Sequence, residues 1–220
     1  MILLKQKKKS KHPIKFKINR FELNSKRFFH SITSAYLCKM SNIKLHDLHF
    51  QPFIKEEEIK GIIQSLVTQI SRDCKGETPL FIGILNGSFM FVADFVKAYA
   101  DACEVSFVKL ASYQGTSSSE KVTQLVGLNE DLTGRTVVIL EDIIDTGNTL
   151  QEIYRLFKDQ NVKQLKIATL FFKPTVFKKE LTIDYIGKSI PDKFIVGYGL
   201  DYNGLGRNYP AVYQLITTQQ

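Results

Sequence analysis

The chain has 220 residues, 44% of them hydrophobic and 24% charged. That is enough for one domain with a real core, and it excludes collagen, low-complexity disorder and a disulfide miniprotein. The formal charge of +8 is uneven: residues 1–39 hold eleven Lys or Arg and one acid, whereas the remainder holds nineteen basic and twenty-one acidic residues, so the basic character belongs to a tail and not to a nucleic-acid-binding body.

Residues 1–41 are acid-poor and lack periodicity. A targeting peptide, a nucleic-acid-binding arm and a start codon placed too far upstream all fit them, with Met40 as the alternative start. The expectation is a dispensable extension over 1–41, followed by a domain over 42–220; no apolar core with a small-residue cleavage site marks a secretory signal. Cys38, Cys74 and Cys103 form no CxxC pair, which points to reduced thiols and a cytoplasmic location.

After residue 41 the pattern tightens. Ile59, Ile62, Ile63, Leu66, Val67 and Ile70 recur on one face of a predicted helix over 55–73, with Glu56, Glu57 and Glu58 in its first turn, where the helix dipole favours acids. Pro79–Leu85 reads as a buried strand. Ser88 is a candidate cap for a buried helix over Phe89–Ala102. Val105–Leu110 is a strand, Ser112–Lys121 a polar loop, and Val122–Leu128 a further strand. Val137–Leu140 is an aliphatic strand and Asn148–Gln160 a helix; Leu165–Phe172, Asp184–Ile186, Phe194–Leu200 and Ala211–Ile216 complete the strands. The central strands are apolar on both faces and alternate with helices. The fold class is therefore α/β, a mainly parallel twisted sheet flanked by helices. Phe81–Ala100 is broken by Asn86, Ser88, Asp94 and Lys97 and is no membrane span.

The histidines are His12, His30, His46 and His49. The body beyond residue 49 therefore cannot build a Ser-His-Asp, Cys-His or His-metal site, and its general base must be Asp, Glu, Lys or Tyr. His46 and His49 have a spacing that permits a shared metal, but an exposed segment is the better reading. Nucleotide fingerprints are also missing. No G-x-x-x-x-G-K-[ST] occurs, and Gly197-x-Gly199 and Gly204-x-Gly206 both have Tyr where a third glycine is required.

The informative segment is Val137-Val138-Ile139-Leu140-Glu141-Asp142-Ile143-Ile144-Asp145-Thr146-Gly147-Asn148-Thr149. An N-cap accounts for Asp145 or Thr146 alone. It does not account for Glu141 and Asp142 at the end of a buried strand, where unpaired charge is costly and where open α/β sheets bind ligands. Asp145–Thr149 places a glycine, two hydroxyls and backbone N–H groups at a helix start, which makes a cradle for a phosphate monoester. Glu141 and Asp142 suit ribose hydroxyls or a hydrated Mg2+.

That segment resembles the phosphoribosyl-diphosphate motif of type I phosphoribosyltransferases, and Glu141-Asp142-Ile143-Ile144-Asp145-Thr146-Gly147 resembles the hypoxanthine–guanine branch. Gly83–Phe91 resembles the family's pyrophosphate loop, Ser112-Tyr113 its mobile loop, and Pro191–Asn203 with Arg207 its purine-binding hood. The resemblance spans residues 42–216. It implies the type I phosphoribosyltransferase fold with a small hood over the active site. It also implies transfer of a 5-phosphoribosyl group from phosphoribosyl diphosphate to hypoxanthine, and to guanine, with Mg2+. Asp145 would be the general acid/base facing purine N7. Glu141, Asp142, Asp145, Thr146, Gly147, Asn148, Thr149, Leu85, Asn86, Gly87 and Arg207 would hold phosphoribosyl diphosphate. Lys173, Phe194, Ile195 and Asp201 would line the purine end, and Glu141, Asp142 and Asp201 would serve the metal. A homodimer or homotetramer is the family's usual assembly. Asn86 departs from members that carry lysine there, and Leu85-Asn86-Gly87 is where the family's non-proline cis peptide is expected. The competing function, a phosphoribosyltransferase-fold regulator that binds ribonucleotides and nucleic acid, has only the basic tail in its favour, and the acidic body weighs against nucleic acid.

Overall fold

The computed structural model describes residues 41–112, 122–126 and 131–217. The extension up to residue 40, Tyr113 and most of the predicted polar loop lie outside the described residues. The described elements are β1 (Ile43–Leu45), β2 (Leu48–Ile54), α1 (Glu56–Asp73), β3 (Leu80–Ile84), α2 (Phe89–Ala98), β4 (Glu104–Ser112), β5 (Val122–Val126), β6 (Thr136–Ile144), α3 (Asn148–Lys158), β7 (Gln164–Phe172), β8 (Tyr185–Ser189), β9 (Ile195–Val196) and β10 (Val212–Leu215).

Two sheets result. The larger runs β5-β4-β3-β6-β7-β8. Its last five strands are parallel, and only edge strand β5 is antiparallel. The smaller sheet, β1-β2-β10-β9, is antiparallel throughout and forms the hood. The parallel sheet follows from its composition. Both faces of β3 and β6 are aliphatic, and every residue of β3 is buried, so both faces need helical cover.

Alternation along β6 divides the core. Val138 and Leu140 face the α1 and α2 side, with Ile59, Leu66, Ile70, Phe81, Phe91 and Phe95. Val137 and Ile139 face α3, with Leu150, Ile153 and Phe157. Helix α1 buries Ile59, Ile63, Leu66, Val67 and Ile70, the stripe its periodicity predicts. The hood has a core of its own in Leu45, Phe50, Val196, Ala211 and Tyr213.

Several boundaries differ from expectation. Helix α2 stops at Ala98, because Tyr99 turns extended (φ −77°, ψ 118°) and packs its ring edge-on to Phe81 at 5.0 Å. Ser88 stands at the N-cap of α2, as expected, but its side chain does no capping: its hydroxyl donates back to the Ile84 carbonyl at 2.6 Å. Helix α3 starts after Gly147, whose φ of 82° is left-handed, so neither Asp145 nor Thr146 is the N-cap. The strand expected over Phe194–Leu200 shrinks to β9, since Gly197, Tyr198 and Gly199 all have positive φ. Ser112, expected in a loop, ends β4 opposite Val122. The hairpin β1–β2 was not anticipated. Among the described residues no helix is long and apolar enough to cross a membrane, and Cys74 and Cys103 are free thiols.

Candidate active site

Strand β6 runs past its aliphatic stretch and carries Glu141 and Asp142 in its last turnings, so the adjacent acids obey the same alternation as the core before them. Glu141 falls on the α3 side and lines a cavity of about 250 Å3 whose rim is Asp145, Thr146, Gly147, Asn148 and Thr149. Asp142 falls on the other side, against Gly87, where a built Cβ would collide with its carboxylate. The two carboxylates therefore lie on opposite faces of β6.

Both are nearly buried, at 8% and 7% exposure. Burial first, and repulsion from Asp142 second, lifts the Glu141 carboxyl well above the usual carboxylate range. Burial pushes Asp142 up to about 6, against the opposing pull of the Ile143 N–H and of Arg207. The Ile143 N–H donates to Asp142 Oδ1 at 3.0 Å, while Glu141 Oε2 is buried without a hydrogen-bond partner. An orphaned carboxylate oxygen beside a second buried acid fits a cation. Among the described residues no three His, Cys, Asp or Glu side chains are grouped to hold a metal by themselves. A cation here would complete its shell from water and ligand oxygens, as Mg2+ does.

The segment after β3 forms the second wall. Its Leu85-Asn86 peptide is cis, at the site expected from the resemblance. The hood closes on it: Gly199, with φ of 97°, lies so near the Gly87 carbonyl that a Cβ there would collide with it. Arg207 donates to the Gly199 carbonyl at 2.6 Å and pairs with Asp201 at 2.6 Å. Asp201 also accepts from the Gly204 N–H at 2.6 Å.

The third wall follows β7. Lys173 is 6% exposed. Its ammonium donates to Asp145 Oδ2 at 2.9 Å and to Asp192 Oδ1 at 3.2 Å. Phe194 is 45% exposed, yet its ring is backed by Phe50 at 6.2 Å and by Tyr202, edge-on, at 5.8 Å. Ile195 is buried in β9.

The structure thus gathers Glu141, Asp145–Thr149 and Lys173 around one cleft mouth. It places Asp142, Gly87, Gly199 and Arg207 along the adjoining wall. Asp192 and Tyr202 lie within the hood-like segment, but the sequence assigns no role to either; Phe50 lies outside that segment. The alternation of Leu48, Phe50 and Ile54 is the signal that could have revealed the hairpin.

A family model described as the phosphoribosyl transferase domain matches residues 54–203. The hypoxanthine-guanine phosphoribosyltransferase of Staphylococcus aureus strain Mu50 is 37% identical over 169 residues, covering 76% of this chain and 94% of that protein. The protein of the same name from Staphylococcus epidermidis is 40% identical over 160 residues, covering 72% and 89%. A crystal structure of a hypoxanthine-guanine phosphoribosyltransferase from Bacillus anthracis, with HEPES in its active site, aligns with a TM-score of 0.71 at 37% identity over 76% of this chain and 98% of that one. A domain match over more than half of the chain, joined to relatives matched along nearly their whole length, shows that the chain belongs to the phosphoribosyl transferase domain family.

Proposed function

We propose that the chain is a hypoxanthine phosphoribosyltransferase of purine salvage. It carries the 5-phosphoribosyl group from phosphoribosyl diphosphate to hypoxanthine, and to guanine, releasing IMP or GMP and pyrophosphate. The observation that carries this reading is the Lys173–Asp145 pair at the edge of the Asp145–Thr149 cradle. An ammonium donates and cannot accept, so Lys173 selects an oxo group at purine C6. A carboxylate beside it can exchange a proton with a ring nitrogen.

In this reading the cradle's backbone N–H groups and hydroxyls hold the 5-phosphate at the start of α3. Purine N9 bonds to the ribose C1′ as the C1′–O bond breaks, its electron pair leaving with pyrophosphate. Asp145 takes the ring proton at N7. Phe194 stacks on the base, and Ile195 offers its backbone. Asp201 would line the same end and serve a second cation. Arg207 and the Leu85-Asn86-Gly87 backbone hold pyrophosphate; because Asn86 brings no charge, that duty rests on Arg207 and the backbone. Glu141 and Asp142 would hold the ribose hydroxyls and Mg2+, and the cation when bound would supply positive charge against the diphosphate. A cytoplasmic location and assembly as a homodimer or homotetramer belong to the same reading.

The test is steady-state assay with hypoxanthine, guanine and xanthine, with and without Mg2+. Turnover of hypoxanthine to IMP is expected only with the metal; no turnover of any 6-oxopurine sinks the reading. A second expectation concerns the hood. Gly199→Ala would force the hood away from the Gly87 carbonyl, and it should raise the KM for phosphoribosyl diphosphate roughly tenfold or more, since small misplacements of binding groups are costly. An unchanged KM would show that this contact does not shape the site.

A further inference from the structure

The mechanism above leaves one charged group of the site, Asp192, without a role. Lys173 is nearly buried, and a buried ammonium must be compensated by a carboxylate or other acceptor. The structure gives it two, Asp145 at 2.9 Å and Asp192 at 3.2 Å. If Asp145 turns to purine N7, Lys173 loses one of them at the moment when it must donate to the 6-oxo group. Asp192 has no such competing duty. Pro191 precedes it, and the Lys193 N–H donates to the Pro191 carbonyl at 2.8 Å, so a short turn with a restricted backbone holds it in place. The same turn leads directly into Phe194 and Ile195, so base stacking and the ammonium's anchor share one rigid segment.

We propose, resting on the function proposed above, that Asp192 is a positioning residue: it holds the Lys173 ammonium aimed at the purine 6-oxo group while Asp145 is engaged with the imidazole ring. Lys173 changes partners within a fixed triangle. One N–H stays with Asp192, and the N–H given to Asp145 in the ligand-free site passes to the base.

The test compares wild type, Asp192→Asn, Asp192→Glu, Lys173→Met and the Asp192→Asn/Lys173→Met double variant, all in the full chain. Asp192→Asn is expected to raise the KM for hypoxanthine about tenfold, the scale of one lost charge-assisted hydrogen bond. It should leave the KM for phosphoribosyl diphosphate within about twofold, and Asp192→Glu should recover most of the loss. IMP affinity, read by calorimetry so that inactive variants still report, should fall on Asp192→Asn in the wild-type background. It should not fall further in the Lys173→Met background, because both residues act through one ammonium. An equal rise in both KM values, or an undiminished Asp192 effect without Lys173, overturns the inference. A wild-type chain that makes no IMP from hypoxanthine sinks the proposed function together with this inference; an active wild type matched by Asp192→Asn sinks only the role of Asp192.

Discussion

Asp145→Asn is expected to lower kcat by about a hundredfold or more with the KM for phosphoribosyl diphosphate nearly unchanged. Asn keeps the shape of the side chain, and the cradle it heads is built largely from backbone N–H groups that the substitution does not touch. Lys173 keeps a counter-charge through Asp192 at 3.2 Å, so the pocket is not left with an uncompensated ammonium. What disappears is the carboxylate beside Lys173 to which the proposed mechanism gives the proton exchange with the base. Initial rates at saturating phosphoribosyl diphosphate, with a titration of that substrate alongside, separate the two effects. An unchanged kcat would remove Asp145 from the mechanism.

The second large effect sets stability against activity. Asp142→Asn should abolish most turnover and yet make the metal-free protein more stable at pH 7.5. The carboxyl of Asp142 sits at about 6 in the folded protein against an ordinary 3.8. The folded state therefore holds its proton to higher pH than the unfolded chain does. Well below pH 4 both states are protonated and nothing is lost. As pH rises from about 4 to 6 the unfolded chain ionises first, so stability falls across that window and stays lowered above it. Two units correspond to about 3 kcal/mol, an upper figure for one member of an interacting pair. Asn accepts the Ile143 N–H as Asp does, carries no charge, and relieves Glu141 of its neighbour's repulsion. Thermal melts of the two metal-free proteins should differ by several degrees at pH 7.5 and converge toward pH 4. Mg2+ should raise the melting temperature of wild type and not of the variant. Equal melting temperatures at both pH values would mean that the buried pair carries no such penalty.

Much of this was readable in the residues, and the failures have physical causes. The parallel sheet announced itself because β3 and β6 are aliphatic on both faces. The cradle did so because a glycine and two hydroxyls follow an acid-ended strand. The separation of Glu141 from Asp142 does not follow from a strand that ends at Leu140; once it continues to Ile144, alternation sends the two acids to opposite faces. The hairpin was obscured by Pro52, which argues against a strand. The structure accommodates it at a register irregularity opposite Val212 and Tyr213. The length of α2 was overestimated because Tyr99 is apolar enough to continue a helix, and only its packing on Phe81 shows why it does not. Asp192 looked like a turn residue, and it is one; its link to Lys173 joins positions 19 residues apart, and no local pattern encodes that.

The order of strands in the hood has a consequence for synthesis. Strand β10 is the final strand in chain order, yet it lies inside its sheet, hydrogen-bonded to β2 on one side and β9 on the other. A nascent chain on the ribosome can complete the cradle, both buried acids and Lys173 while the lid of the pocket still lacks its middle plank. The hood is therefore completed late, after translation has passed Leu215, and a premature stop a few codons earlier would spare the cradle but leave β9, with Phe194 and Ile195 beside it, short of its partner strand.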